Sequence, residues 1–225
     1  MLSLDPVNAL VTGGTGRVGA AIAARLEREG WSVKAAGRAD GDVSEVEAAQ
    51  ALVSRAAEEL GGLDLLVNAA GEGFAPKPVA EVTERDWDAA FGATAKGSFF
   101  VTQAAAPYLR ESRGCVVMIE DVAAYQPWPS FAAHSSAKAA QAMLTRVLAR
   151  ALAPEVRVCG VAPGPVAVAP GQEERRAAET LLGRVGSPED VAAAVVYLAG
   201  AEFVTGTTLV VDGGRMLQSG TPGPP

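Results

Sequence analysis

The sequence predicts an α/β fold: a single doubly wound domain with a mainly parallel sheet and helices on both faces. Three observations carry that reading. Short, largely apolar runs alternate with alanine-rich segments along the chain, no linker or internal repeat divides the series, and a glycine-rich turn joins the first run to the first alanine-rich segment. Such alternation calls for parallel strands, because a strand returning in the same direction needs a covering crossover. Strands are expected at residues 9–12, 32–36, 63–68, 115–119, 157–162 and 208–211, apolar enough to be buried on both faces. Helices are expected at 18–29, 46–60, 84–109, 135–153, 172–182 and 188–200. The last has the clearest start, with Ser187 able to cap orphan amides and Pro188 pre-set for the first turn. Residues 1–225 read as one domain, and the glycine- and proline-rich tail at 218–225 is expected to lie loose or to pack on a partner subunit.

Bulk properties exclude several classes. A chain of 225 residues can bury a sizeable core, and its 49% hydrophobic composition includes no apolar run of bilayer-spanning length, which argues against a membrane protein. A net charge of −7 argues against non-specific nucleic-acid binding. With no secretory segment before the first strand, a cytoplasmic location is expected. Cys115 and Cys159 stand singly in apolar strands without metal-ligand spacing, as reduced core thiols do, so no metal is expected.

Two places carry chemistry. The turn Gly13-Gly14-Thr15-Gly16-Arg17-Val18-Gly19 lies between a buried strand and a helix. Glycines permit the tight turn and let backbone N–H groups approach a pyrophosphate at the helix N-terminus. Gly14, Gly16 and Gly19 satisfy the dinucleotide fingerprint spacing in the strand–turn–helix context of a Rossmann-type fold. At the end of the second strand the sequence is Ala36-Gly37-Arg38. Gly37 lacks the carboxylate that would repel a 2′-phosphate and Arg38 offers a guanidinium fork to bind one, so NADP(H) is favoured over NAD(H). The second place is the strand end at Asp121 with the helix that carries His134 and Lys138. His134 is the only histidine, and it lies one helical turn before Lys138, so both side chains share a face.

This order of strand, polar residue and lysine-bearing helix, followed by Val156-Arg157-Val158-Cys159-Gly160-Val161-Ala162-Pro163-Gly164, resembles the short-chain dehydrogenase/reductase family. There a serine, a tyrosine and a lysine carry the chemistry, helped by an asparagine from the preceding helix. The resemblance matches Asp121 to the serine, His134 to the tyrosine, Lys138 to the lysine and Thr94 to the asparagine. It runs over residues 7–217. It implies that Asp42 and Val43 border adenine and that Asn68-Ala69-Ala70-Gly71 supports the sheet and lines the adenosine ribose. It also implies that Pro163, Gly164 and Val166 lead into the segment that folds over nicotinamide and substrate. Residues 39–44 stand where the family has a helix and a full strand, so that crossover is expected to be truncated. Arg17 in the turn and an aspartate at 121 resemble the pteridine-reductase branch. The last strand and its Asp212-Gly213-Gly214 turn imply a homo-oligomer, dimer or tetramer. Glu173-Glu174-Arg175-Arg176, in the expected lid at 167–179, reads as a solvated helix face.

The altered centre leaves two functions open. Lys138 can hold the nicotinamide ribose, and His134 can give up a proton as imidazolium, a form that Asp121 favours and Lys138 disfavours. Imidazole is shorter than phenol, so a bridging water or Tyr125, one short loop beyond Asp121, could complete the proton path. One reading is a reductase acting on a small carbonyl, quinonoid or pteridine-like molecule through Asp121, His134, Lys138 and Thr94. The other is a catalytically silent NADP(H)-binding protein that retains the fold.

Overall fold

The computed structural model describes residues 7–72 and 75–218. Positions 73–74, and 219–225 of the expected loose tail, lie outside the described residues. Along the chain run β1 (Asn8–Thr12), α1 (Arg17–Arg28), β2 (Ser32–Ala36), α2 (Val46–Leu60), β3 (Leu65–Asn68), α3 (Glu84–Phe91), α4 (Gly97–Ser112), β4 (Cys115–Ile119), α5 (Ala132–Leu152), β5 (Arg157–Pro163), α6 (Glu173–Ala177), α7 (Pro188–Gly200) and β6 (Thr208–Val211). The strands form one all-parallel sheet in the order β2-β1-β3-β4-β5-β6.

Side-chain alternation divides the core in two. Leu10, Leu66 and Val116 face one side, where they pack with Leu52 and Val53 of α2, Val101 and Leu109 of α4, and Leu148 of α5. Their neighbours Val11, Val67 and Val117 face the other side, against Ile22 and Leu26 of α1 and Val195 and Leu198 of α7. Each such side chain contributes about 1.5–3 kcal/mol by leaving water, so the sheet is held from both faces. Arg25 and Arg28 of α1 also grip Glu189 of α7, at 2.7 and 2.9 Å. Cys115 and Cys159 are free thiols within this core, as expected.

The departures from expectation have local causes. Residues 37–45 form turns and bends alone, so the crossover after β2 is indeed truncated. In consequence β2 is an edge strand with only Ala36 buried, not covered on both faces. The single helix expected at 84–109 is broken by a wide π turn, Gly92–Lys96. That turn joins α3, which buries no residue, to the largely buried α4, and it directs Ala93, Thr94 and Ala95 inward. The helix expected at 172–182 shortens to α6, which has no buried face to hold further turns. Instead the Thr180 hydroxyl lies 2.9 Å from both Ala177 O and Arg184 O, within donating reach of either carbonyl. β3 starts at Leu65 because Asp64 serves the neighbouring strand end, where Asn8 N donates to its Oδ2 at 2.7 Å.

The start of α7 follows the expected capping chemistry. Asp190 N donates to Ser187 Oγ at 3.2 Å, and Ser187 N donates to the Asp190 carboxylate at 2.7 Å, a reciprocal capping box. Ser187→Ala is expected to lower stability by about 1 kcal/mol. Urea unfolding reads this directly, and an unchanged midpoint would contradict it.

Candidate active site

β1 pairs with β2 on one side and β3 on the other, so a crevice opens at the carboxyl ends of these strands. Thr12, Gly13, Thr15, Gly16, Ala36, Gly37, Arg38, Asp42, Val43, Ala69, Ala70 and Gly71 line it. The glycine turn is held so close to its neighbours that side chains are excluded. Gly13 has a φ of +66°, and a Cβ there would meet Ala69 O at 2.5 Å. A Cβ on Gly19 would lie 2.2 Å from Gly13 O. No side chain caps the start of α1 at Gly16, which leaves its first amides to a ligand. A cradle of this kind, closed to side chains and rich in N–H groups, fits the diphosphate of a dinucleotide.

The other expected cofactor residues divide. Asn68 does not line the crevice: buried, it donates from Nδ2 to Thr102 Oγ1 at 3.0 Å and approaches the Met118 sulfur at 3.4 Å, so its side chain braces β3 against α4 and β4. Val18 packs into the α1 side of the core. Arg17 Nη1 donates to Val168 O at 3.2 Å, tying the glycine turn to the segment after β5. In that segment Gly164 N donates to Val211 O at 2.9 Å, and Val166 bridges to Gly186. The Asp42 carboxyl is held below its ordinary range, chiefly by the Ser44 hydroxyl and amide.

The corner at Arg38 is more acidic than the sequence suggests. Gly37 removes one carboxylate, yet Asp40 folds back so that Gly37 N donates to its Oδ2 at 2.8 Å. Arg38 Nη2 meets Glu72 Oε2 at 2.6 Å, and its Nε lies 3.8 Å from Asp42 Oδ2. Because the Arg38 side chain is 67% exposed, these pairs are weak enough for a stronger anion to displace.

The catalytic candidates gather at the end of β4. Asp121 follows the strand and caps a short turn, with Ala123 N donating to its Oδ1 at 2.8 Å. Its Oδ2 lies 3.2 Å from His134 Nε2. α5 begins at Ala132, earlier than expected, and so carries both His134 and Lys138 on a buried face. Lys138 Nζ donates to Ile119 O at 2.7 Å and to Gln141 Oε1 at 3.0 Å. Burial pulls the lysine down to about 8, against the opposing pull of the Asp121 and Glu120 carboxylates.

Two further candidates lie close by. Thr94 is buried on the π turn, while the described hydrogen bonds of Lys138 run to Ile119 and Gln141. Tyr125 does not serve the Asp121–His134 contact: its hydroxyl donates to Glu120 Oε2 at 2.7 Å, and burial pushes it up to about 12. Sequence reasoning missed both Gln141 and Glu120. Gln141 was legible in principle as a polar residue three positions after Lys138 on the same helix face. The Glu120 cluster joins Tyr125, Thr145 and Thr208 from distant parts of the chain and left no sequence signal.

Residues 18–215 match the family model described as enoyl-(acyl carrier protein) reductase. The 4-formylbenzenesulfonate dehydrogenase of Comamonas testosteroni is 34% identical over 95% of this chain and 99% of that protein. A 3beta-hydroxysteroid dehydrogenase of Eggerthella lenta is 35% identical over 94% of each chain. The chain belongs to the short-chain dehydrogenase/reductase family. Among solved structures of similar fold, the ligand-free aldohexose dehydrogenase of Thermoplasma acidophilum superposes with a TM-score of 0.89 at 25% identity, covering 99% of this chain and 98% of that one. A 7α-hydroxysteroid dehydrogenase complexed with NADH and 7-oxo glycochenodeoxycholic acid gives 0.83 at 27% identity, with 95% of each chain covered. Family members are oxidoreductases that bind nicotinamide cofactors. Among the described residues no helix is long and apolar enough to cross a membrane, and no group of His, Cys, Asp and Glu could hold a metal ion.

The close approach at Gly19 gives a test of the cradle. Gly19→Ala is expected to weaken nicotinamide-coenzyme binding at least about tenfold, since the added methyl must push the turn open at a cost of about 1–3 kcal/mol. Fluorescence titration, with circular dichroism to verify folding, checks it; wild-type affinity in the variant would count against the cradle.

Proposed function

We propose that this protein is an NADP(H)-dependent oxidoreductase that passes hydride to a small carbonyl, quinonoid or pteridine-like substrate. The observation that carries this is the contact of His134 Nε2 with Asp121 Oδ2 at 3.2 Å, one helical turn from the buried ammonium of Lys138. In this reading Gly13, Thr15, Gly16, Arg17 and Gly19 hold the diphosphate, with Val18 anchoring their turn to the core. Val43, Asp42, Ala69, Ala70 and Gly71 border the adenosine, Asn68 braces that wall, and Pro163, Gly164 and Val166 border the nicotinamide. The Arg38 guanidinium exchanges Glu72 for the 2′-phosphate, a stronger bidentate anion. Lys138 holds the nicotinamide ribose. The bound dinucleotide supplies the hydride.

His134 stands at the family's tyrosine position, and its chemistry differs accordingly. With the ring protonated, Asp121 and His134 share a proton between Oδ2 and Nε2, and a substrate oxygen at this contact takes it directly or through one water. A quinonoid or iminium acceptor suits such a centre, because it accepts hydride readily and asks little of an acid. Arg17 and Asp121, both features of the pteridine-reductase branch, support the same substrate class. Exposed Leu209 and Val210 on the edge strand β6 support a homo-oligomer, dimer or tetramer.

A second reading, a silent NADP(H)-binding protein, is favoured by one observation: the hydrogen bonds of Lys138 go to Ile119 and Gln141. His134→Tyr separates the two. Reduction of quinones, oxidised pterins and ketones is followed as loss of NADPH absorbance. A working histidine predicts that the variant loses most of an activity the wild type has, whereas activity gained from nothing would establish silence. Arg38→Ala is expected to weaken NADPH about ten- to hundredfold, as loss of a charge-assisted pair does, and to leave NADH unchanged. Equal effects on the two coenzymes would remove Arg38 from the phosphate site.

A further inference from the structure

An ammonium carries three donors, and their destinations decide what it can grip. Two of those of Lys138 are spoken for by neutral oxygens, Ile119 O at 2.7 Å and Gln141 Oε1 at 3.0 Å. Gln141 is fully buried and lies on the same face of α5, three residues on. Its Nε2 donates to Ser98 Oγ of α4 at 2.8 Å. That second bond orients the amide: nitrogen toward α4, oxygen toward the lysine. Neither end can turn without leaving a buried polar atom unpaired, at a cost comparable to a lost hydrogen bond.

We propose that Gln141 is a positioning residue which, anchored by Ser98, clamps the Lys138 ammonium so that its third donor is presented to the ribose of the nicotinamide cofactor. This rests on the reading of Lys138 as a cofactor ligand. Gln141 and Ser98 are neutral, so they hold the ammonium without adding charge. The charged and titratable groups around it are Asp121 and Glu120 at the end of β4, which favour the ammonium, and His134 on α5. Glu120 is itself held by Tyr125, Thr145 and Thr208.

Wild-type, Gln141→Leu, Gln141→Glu and Ser98→Ala proteins are titrated with NADPH between pH 6 and 10. The Lys138 ammonium is followed in parallel by NMR of the coenzyme-free, 15N-lysine-labelled proteins. Lys138 titrates near 8 in the wild type. Gln141→Leu removes an acceptor of the charged form, so its midpoint is expected to move to lower pH and NADPH affinity at pH 8 to fall about tenfold. Gln141→Glu is expected to restore affinity and move the midpoint upward. Ser98→Ala, the milder change, should move both quantities in the same direction as leucine by a smaller amount. A merely structural glutamine would lower thermal stability and leave the midpoint in place, and that result in either Gln141→Leu or Ser98→Ala overturns the proposal. If the wild type binds no coenzyme at any pH, the reading of the site falls, while the NMR midpoint still decides whether the clamp exists.

Discussion

Parallel strands cannot be joined at their ends, and the sheet meets this constraint by sending helical crossovers over both faces. β1 leads through α1 to β2 on one side, and the chain then returns past β1 through α2 to β3. At that reversal the two connections part, and the glycine turn fills the gap. The turn can sit there only because its backbone lies against Ala69 and against its own first glycine, too close for any Cβ. Tight packing and an open row of amides are thus one feature: the contacts that exclude side chains leave the backbone as the only possible ligand.

The end of β4 concentrates polarity in the same economical way. Three consecutive residues hold five partners: Ile119 through its carbonyl holds Lys138, Glu120 holds the hydroxyls of Tyr125, Thr145 and Thr208, and Asp121 holds His134. A Cβ on Gly160 would approach Glu120 Oε1 to 2.1 Å, so the neighbouring strand leaves room for that carboxylate. Burying an ammonium is costly, and the fall of Lys138 to about 8 registers that cost. Two neutral acceptors and the field of two nearby carboxylates offset it. The centre is therefore an electrostatic balance between a buried cation, its neutral acceptors and the carboxylates beside it.

Much of the fold was legible because it depends on local chemistry. Apolar alternation located all six strands, and Ser187 before Pro188 located the start of α7 to the residue. What misled the reading were segments whose form depends on what they pack against. Residues 84–109 read as one helix, since nothing local reveals that α3 lies outside the core while α4 lies within it. Residues 172–182 carry helix-forming residues but lack a buried face to hold them.

For the site, spacing along a single element was readable and contacts between elements were not. By itself the sequence determined the parallel α/β fold, the glycine turn and the lysine-bearing helix with His134 one turn before Lys138. These follow from periodicity and from the small set of conformations that glycine turns and helix starts allow. Only the tertiary structure decided that Arg38 rests on Glu72, that Ser98 of α4 holds Gln141 of α5, and that Glu120 gathers Tyr125, Thr145 and Thr208. Such partnerships join residues from different elements, and side-chain reach across a packed interior leaves no period in the chain.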